Sequence, residues 1–191
     1  MRTFLCIPID RPLRAELDRL SQRMSRLIPV RATWVIPENF HVTVRFLGEI
    51  DPMLTIDLER SCAVVTQDTM PFELSIDRVS AFPNEARPRV LWAGGEAPPP
   101  FCSFVSSLDR RLAELGFPRG RPETVAHITL ARIKERTDPT IAKTIRSLAD
   151  TPTWTLRAEQ LVLMESRLTS QGAVYAPLFT LPLAGRKNNA V

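Results

Sequence analysis

The sequence predicts an α+β protein of two related lobes, each an antiparallel-rich sheet backed by helices, arranged about a pseudo-two-fold axis around a central cleft. Three observations carry this expectation. Segments of strand and helix character run strand, helix, strand, strand, helix, strand, strand, and then helix, strand, strand, helix, strand, strand. The two histidines of the chain head look-alike segments, "HVTVRF" from His41 and "HITLAR" from His127, which stand 86 residues apart. Each segment is soon followed by an Asp-Pro pair, Asp51-Pro52 and Asp138-Pro139, and an acidic cap before a first-turn proline suits a helix start.

"TFLCIPI", Thr3 to Ile9, reads as a buried strand, and Asp10 with Pro12 opens a helix in which Leu13, Leu17, Leu20, Met24 and Leu27 form one apolar stripe. Strands follow at about Arg31 to Ile36 and from Phe40 to Phe46, ending at Gly48. Asp51-Pro52 starts a second helix carrying Leu54, Leu58, Cys62 and Val65. "PFELSIDRVSAF" and "RVLWAG" are strands joined by the loop "PNEARPR", whose Arg87 and Arg89 suit either an RNA-contacting flap or a solvated turn. A third helix, Pro100 to Leu115, carries Phe104, Leu108 and Leu112 and stops at Gly116. The strand "TVAHITLARI" comes next, then a fourth helix from Thr137, Asp138 and Pro139 to about Leu148. Strand-like stretches around Thr153 to Glu165 and Val174 to Leu181 complete the pattern.

A chain of 191 residues suits one domain with a full core, and no linker separates the halves, so residues 1–183 are expected as a single domain of two intertwined lobes. The segment 184–191, "AGRKNNAV", has no apolar pattern and is expected to be a flexible tail. Apolar content of 44% with 24% charged residues is that of an ordinary globular protein. The net charge of +4 is almost all arginine, since lysine stands only at 134, 143 and 187. Arginine suits phosphate recognition because its guanidinium forks onto oxyanions, although an arginine-rich genome gives the same excess. Cys6, Cys62 and Cys102 are widely spaced and odd in number, against a disulfide scaffold and against a zinc site. The apolar run before Asp10 is too short for a signal-peptide core, and no stretch of 18 apolar residues occurs, so a cytoplasmic protein that spans no membrane is expected.

On a strand His41, Thr43 and Arg45 share one face and Val42, Val44 and Phe46 the other; His127, Thr129 and Ala131 oppose Ile128 and Leu130 in the same way. The apolar faces can pack on helices, leaving the polar faces to line a groove. A two-fold relation would bring His41 and His127 to opposite sides of one pocket, each with a hydroxyl about 7 Å further along its strand. A neutral imidazole can take a proton from a nucleophile and a protonated one can give a proton to a leaving group, and threonine hydroxyls can hold phosphate oxygens. Phosphodiester chemistry needing neither metal nor covalent intermediate is the expectation. A metal centre lacks material, with two histidines and no patterned cysteines. Trp34, Trp92, Phe46 and Phe82 lie inside strand patterns and are expected in the core, with base stacking as the alternative.

The paired tetrads "HVTV" and "HITL" resemble the signature of the two-histidine (2H) phosphoesterases. With "RTFLCIPID", "WVIPENFHVTVRFLGEI", "FPNEARPRVLWAG", "LVLMESRL" and "GAVYAPL", the chain resembles the bacterial and archaeal RNA 2′,3′-cyclic phosphodiesterases, also called 2′-5′ RNA ligases, across roughly residues 2 to 183. The resemblance implies hydrolysis of terminal 2′,3′-cyclic phosphates to 2′-phosphates on RNA or nucleotides, with no cofactor and no metal. It makes His41 and His127 the acid/base pair, with His41 as acid to the departing 3′-oxygen and His127 as base for water, an order that a pseudo-symmetric site can reverse. Thr43 and Thr129 would bind the phosphate. Arg132 would meet the phosphate or a base, which simple alternation from His127 does not allow unless the strand bulges, ends, or lets the side chain reach round its edge. Arg45 has the right face and no assigned role. Ligation would be the reverse reaction, and a monomer is the default. Two alternatives remain at this point: a 2H phosphodiesterase for ADP-ribose cyclic phosphate or 2′-5′ oligoadenylate, and a non-catalytic RNA-end binding protein.

Overall fold

The computed structural model describes residues 1–120, 124–134, 139–148, 152–170 and 172–185. Its elements are β1 (Arg2–Pro8), α1 (Arg11–Leu27), β2 (Ala32–Trp34), β3 (His41–Glu49), α2 (Thr55–Asp68), β4 (Phe72–Ile76), β5 (Arg78–Phe82), β6 (Val90–Glu96), α3 (Pro99–Glu114), β7 (Val125–Ile133), α4 (Pro139–Ser147), β8 (Trp154–Ala158), β9 (Gln160–Thr169) and β10 (Gly172–Pro182). The residues Thr137 and Asp138, expected to open α4, lie outside the described residues.

Local chemistry sets several of these boundaries. The Asp10 carboxylate accepts from the Leu13 amide at 2.8 Å and caps α1, satisfying one of the amides a helix start leaves free. Asp51 does the same for Met53 at 2.9 Å, but what it caps is a 3₁₀ turn, Pro52–Leu54, that runs on into α2. Gly116 ends α3 with φ of 88°, in the left-handed region that a Cβ disfavours. Leu13, Leu17, Leu20 and Met24 are buried as the stripe requires, whereas Leu27 is 44% exposed and Ile28 takes its place in the core as the helix unwinds.

Among the described residues all strand pairs are antiparallel. One eight-stranded sheet has the order β10-β9-β1-β3-β7-β6-β5, with β2 added on β7, and β4 pairs with β8 in a two-stranded sheet. Apart from β10 and β2, which have no counterpart, the strand order inverts onto itself when β1 is exchanged with β6, β3 with β7 and β5 with β9, and β4 with β8 in the small sheet. The stretch read as "PFELSIDRVSAF" breaks at Asp77 and passes from the small sheet to the large one. The stretch from Thr153 to Glu165 breaks likewise at Glu159. The two halves therefore meet within one sheet, at the seam between β3 and β7.

One face of that sheet carries the main core. Leu5, Ile7, Val42, Val44, Leu91, Ala93, Ile128 and Leu130 pack there with Leu17 and Met24 of α1, Leu58 of α2, Phe104 and Leu108 of α3 and Ile141 of α4. The core reaches Leu183, and the amides of Ala184 and Gly185 bond to the carbonyls of Thr66 and Thr69, two residues past the expected domain end; 186–191 lie outside the described residues. The opposite face is left open between β3 and β7. Among the described residues no helix is long and apolar enough to cross a membrane.

Candidate active site

Alternation along β3 and β7 buries Val42, Val44, Ile128 and Leu130, and so turns His41, Thr43, His127 and Thr129 to the open face. The strands are joined through Val42 opposite Ile128. In an antiparallel pair that register sets His41 beside Thr129 and Thr43 beside His127, so the four side chains form a rectangle with a histidine at each end of one diagonal. Across the strands, His41 with Thr129 and Thr43 with His127, such pairs have Cβ atoms about 5 Å apart, while along each strand the spacing is about 7 Å and across the diagonal about 7–8 Å. The expected shared pocket exists, but its histidines stand on neighbouring strands of its floor rather than on facing walls.

A cleft of about 220 Å³ opens over this rectangle and is lined by all four residues together with Arg132, Asn39, Phe4, Phe46, Phe82 and Tyr175, among others. Arg132 reaches it because β7 bulges. Leu91 pairs with Ala131 and Trp92 with Thr129, so Leu130 is an extra residue that delays the alternation by one step. An equivalent bulge on β3, where Leu5 pairs with Arg45 and Cys6 with Thr43, leaves Val44 unmatched. This overturns the expected placing of Phe46: it is 60% exposed and faces the cleft near the ring of Phe4, not the core. Phe82 likewise lines the cleft, while Trp92 is buried as expected and Trp34 packs partly buried against the core.

His41 is fixed from several sides. Its Nδ1 lies 2.7 Å from the Asn39 carbonyl and its Nε2 3.0 Å from Thr43 Oγ1. A neutral ring therefore donates Nδ1–H to Asn39 and accepts the Thr43 hydroxyl at Nε2. Asn39 is itself held, its side-chain amide donating to the Ala173 carbonyl of β10 at 2.7 Å. Phe4 stacks on the imidazole at 4.8 Å and Tyr175 meets it edge-on at 5.5 Å. His127 has a looser tether, Nδ1 to the Val125 carbonyl at 3.5 Å, and Phe82 packs edge-on against it at 4.8 Å. Burial pulls the His41 pKa down to about 4; the Asn39 carbonyl opposes this, and the charges of His127 and Arg132 add to it. Burial also lowers His127, again with Arg132 contributing. Burial raises the Tyr175 phenol, against the pull of Arg132 and Arg2.

Arg45 takes no part in the cleft floor. Its Nε lies 3.0 Å from Asp109 of α3 and it bonds to the Pro118 carbonyl, while Asp109 also accepts from the Gly120 amide at 3.2 Å. It fastens β3 to the segment after α3. Arg87 and Arg89 are exposed and stand outside the cleft lining. Asn39, Phe4 and Tyr175 carry no local signal in the sequence, because the contacts that give them a role run across the sheet. Among the described residues no three histidine, cysteine or carboxylate side chains cluster at metal-binding range.

An antiparallel α+β fold with two imidazoles, two hydroxyls and a guanidinium around one cleft defines a protein equipped for proton transfer at a bound anion. Comparison with known proteins gives that class a family. The chain matches the LigT-like phosphoesterase family over residues 7–92 and 96–175, and it belongs to that family. It is 32% identical over 178 residues to the RNA 2′,3′-cyclic phosphodiesterase of Archaeoglobus fulgidus, covering 93% of this chain and 98% of that one. It is 31% identical over 185 residues to the protein of the same name from Methanothermobacter thermautotrophicus, covering 93% and 96%. In fold it resembles a crystal structure from Thermus thermophilus, with TM-score 0.79, 26% identity and coverage of 98% and 100%. It also resembles Escherichia coli LigT, crystallised with 3′-AMP, with TM-score 0.73, 20% identity and coverage of 95% and 97%.

Proposed function

We propose that this protein is a phosphodiesterase that hydrolyses the 2′,3′-cyclic phosphate at the end of an RNA to a 2′-phosphate, using His41 and His127 as a proton-transfer pair. Family membership and the names of the relatives support the phosphodiesterase class. The observation that carries the mechanism is the rectangle of His41, Thr43, His127 and Thr129 set by the Val42–Ile128 pair, open to a cleft with Arg132 at its side.

In this reading the non-bridging oxygens accept from Thr43, Thr129 and Arg132. Water attacks phosphorus opposite the 3′-oxygen; one imidazole takes its proton while the other, as imidazolium, protonates the departing oxygen. The bond to O3′ breaks and the phosphate stays on O2′. We assign His41 as the acid and His127 as the base. His41 is neutral before substrate binds, so it must gain its proton as the anionic substrate arrives, and the phosphate charge favours that. With an RNA 5′-hydroxyl in place of water, its proton taken by one imidazole and the departing 3′-oxygen protonated by the other, the same displacement would leave a 2′-5′ linkage, and its reverse would cleave one.

The test is product analysis with an oligonucleotide ending in a 2′,3′-cyclic phosphate, in the presence of EDTA. A 2′-phosphate is expected, with turnover falling at least 10²-fold in His127→Ala, the usual scale of acid–base assistance. A 3′-phosphate product, turnover unchanged in His127→Ala, or activity that returns only with added divalent metal would reject the scheme. ADP-ribose cyclic phosphate and 2′-5′ oligoadenylate belong in the same assay, and a clear preference for either would move the substrate away from RNA ends.

A further inference from the structure

The cleft does not end at the rectangle. Along β1, Cys6 is level with Thr43, Phe4 with Phe46, and Arg2 lies two residues further on. Strand rise spaces these three levels about 7 Å apart. The cleft lining follows the same line: Thr43, then Phe4 and Phe46 with Tyr175, then Arg2 with Thr3 and Ser166. A hydroxyl, an aromatic ring and a guanidinium thus recur at even steps away from the histidines.

Arg2 is exposed and makes no ion pair among the described residues, although two carboxylates stand close in register. Glu49, its partner across β3, is taken by the amino terminus at 3.3 Å. Glu165, paired with Thr3, is taken by Arg167 at 2.8 Å. The guanidinium is left to the cleft, and its charge is felt by Tyr175 there. An exposed aromatic beside an unpaired cation is the arrangement with which grooves follow single-stranded nucleic acid, the ring stacking a base and the cation meeting the backbone.

We propose that Arg2, with Ser166 beside it and Phe46 between it and the histidines, forms a subsite for the phosphate on the 5′ side of the terminal nucleotide. This rests on the reading of the floor as the cyclic-phosphate site. In an RNA that 5′-phosphate links to the preceding nucleotide, and in a nucleoside cyclic phosphate it is missing. The subsite therefore makes the cleft a reader of chain ends, favouring them over free nucleosides.

Binding and turnover test this separately. Calorimetry with adenosine 2′-phosphate and adenosine 2′,5′-bisphosphate measures what the 5′-phosphate adds without any catalysis. The bisphosphate is expected to bind about tenfold more tightly to the wild type, the scale of one charge-assisted contact that is partly solvated. That ratio should fall below about twofold in both Arg2→Ala and Arg2→Gln and stay near tenfold in Arg87→Ala. With substrates, the wild-type preference in kcat/KM for a dinucleotide cyclic phosphate over adenosine 2′,3′-cyclic phosphate should collapse in the Arg2 variants. A wild-type ratio near one, or a ratio that survives loss of Arg2, overturns the subsite. If the wild type hydrolyses no cyclic phosphate, the reading of the floor fails, and the binding ratio still decides the subsite.

Discussion

Phe46 and Arg132 occupy the same place in the two halves of the sheet. Each stands five residues beyond a histidine, and each is brought into the cleft by a bulge at the residue three beyond that histidine, Val44 on β3 and Leu130 on β7. The bulge makes the pattern His-x-Thr-x continue onto the cleft face two residues after it. One half delivers an aromatic ring there and the other a cation.

The two should differ in kinetics. A ring that stacks on a base binds ground state and transition state alike, so Phe46→Ala should raise KM about tenfold with little change in kcat, base stacking being worth about 1–3 kcal/mol. A guanidinium on the phosphate meets charge that grows in the transition state, so Arg132→Ala should lower kcat about 10²-fold. Steady-state kinetics on a cyclic-phosphate-ended oligonucleotide checks both. A kcat loss for Phe46→Ala larger than that for Arg132→Ala would place the charge development elsewhere.

Burial of the histidines makes both activity and stability depend on pH. His41, with its pKa near 4 in the free protein, and His127, lowered in the same direction, should give a kcat/KM profile whose optimum lies on the acid side of neutrality, with two apparent constants belonging to the pair. The bound phosphate anion stabilises the imidazolium, so the kcat profile should lie at higher pH. For stability the sign follows from proton counts. Below about 6.5 the unfolded His41 binds a proton that the folded one refuses, so stability present above 6.5 is lost progressively as pH falls towards about 4. The melting temperature should drop over that window, less steeply in His41→Asn and less steeply with inorganic phosphate present. An equal slope in wild type and variant would remove His41 as the cause.

What the sequence made legible follows from how far each feature depends on distant chain. The apolar alternation of Val42, Val44, Ile128 and Leu130 is local, and it correctly turned the two histidines and threonines to the opposite face. Asp10 was readable as a cap because its bond spans three residues. The bulges were not readable, since an extra residue exists only relative to β1 and β6; without them Phe46 counts as core and Arg132 falls on the face opposite His127. The Asn39–Ala173 bond spans 134 residues, and nothing in "ENFH" announces it. The breaks at Asp77 and Glu159 likewise depend on which sheet receives the next strand.

Gly94 shows how closely the backbone approaches the site. It pairs with His127, and a Cβ there would lie 2.2 Å from the Ala126 carbonyl oxygen and 2.8 Å from His127 Cα. Neither atom is a flexible side-chain end, so Gly94→Ala must push β7 away at the histidine. We expect stability to fall by about 1–3 kcal/mol, the cost of overpacking, and kcat to fall at least tenfold as the imidazole leaves its position. Gly48 offers the contrast: it has φ of 79° with nothing near its missing Cβ. Gly48→Ala should cost about 1–2 kcal/mol of strain and leave kcat unchanged. Thermal melts and kcat measured side by side separate displacement of the site from general loss of stability.

The direction of proton transfer can be read from a leaving group that needs no proton. A near-symmetric rectangle lets either histidine serve as acid, and the assignment of His41 to that role makes a specific demand. With a nucleoside cyclic phosphate the 3′-oxygen leaves as an alkoxide unless protonated, so His41→Asn and His127→Asn should each lose at least 10²-fold in kcat. With a diester that expels p-nitrophenolate, the leaving group is stable without protonation, and only removal of the base still matters. His41→Asn should then recover to within about tenfold of wild type while His127→Asn stays impaired, since the water must still be deprotonated. Recovery by His127→Asn instead would reverse the roles. Equal impairment of both variants on the activated diester would mean that each imidazole is needed to bind the phosphate, and the division into acid and base would have to be abandoned.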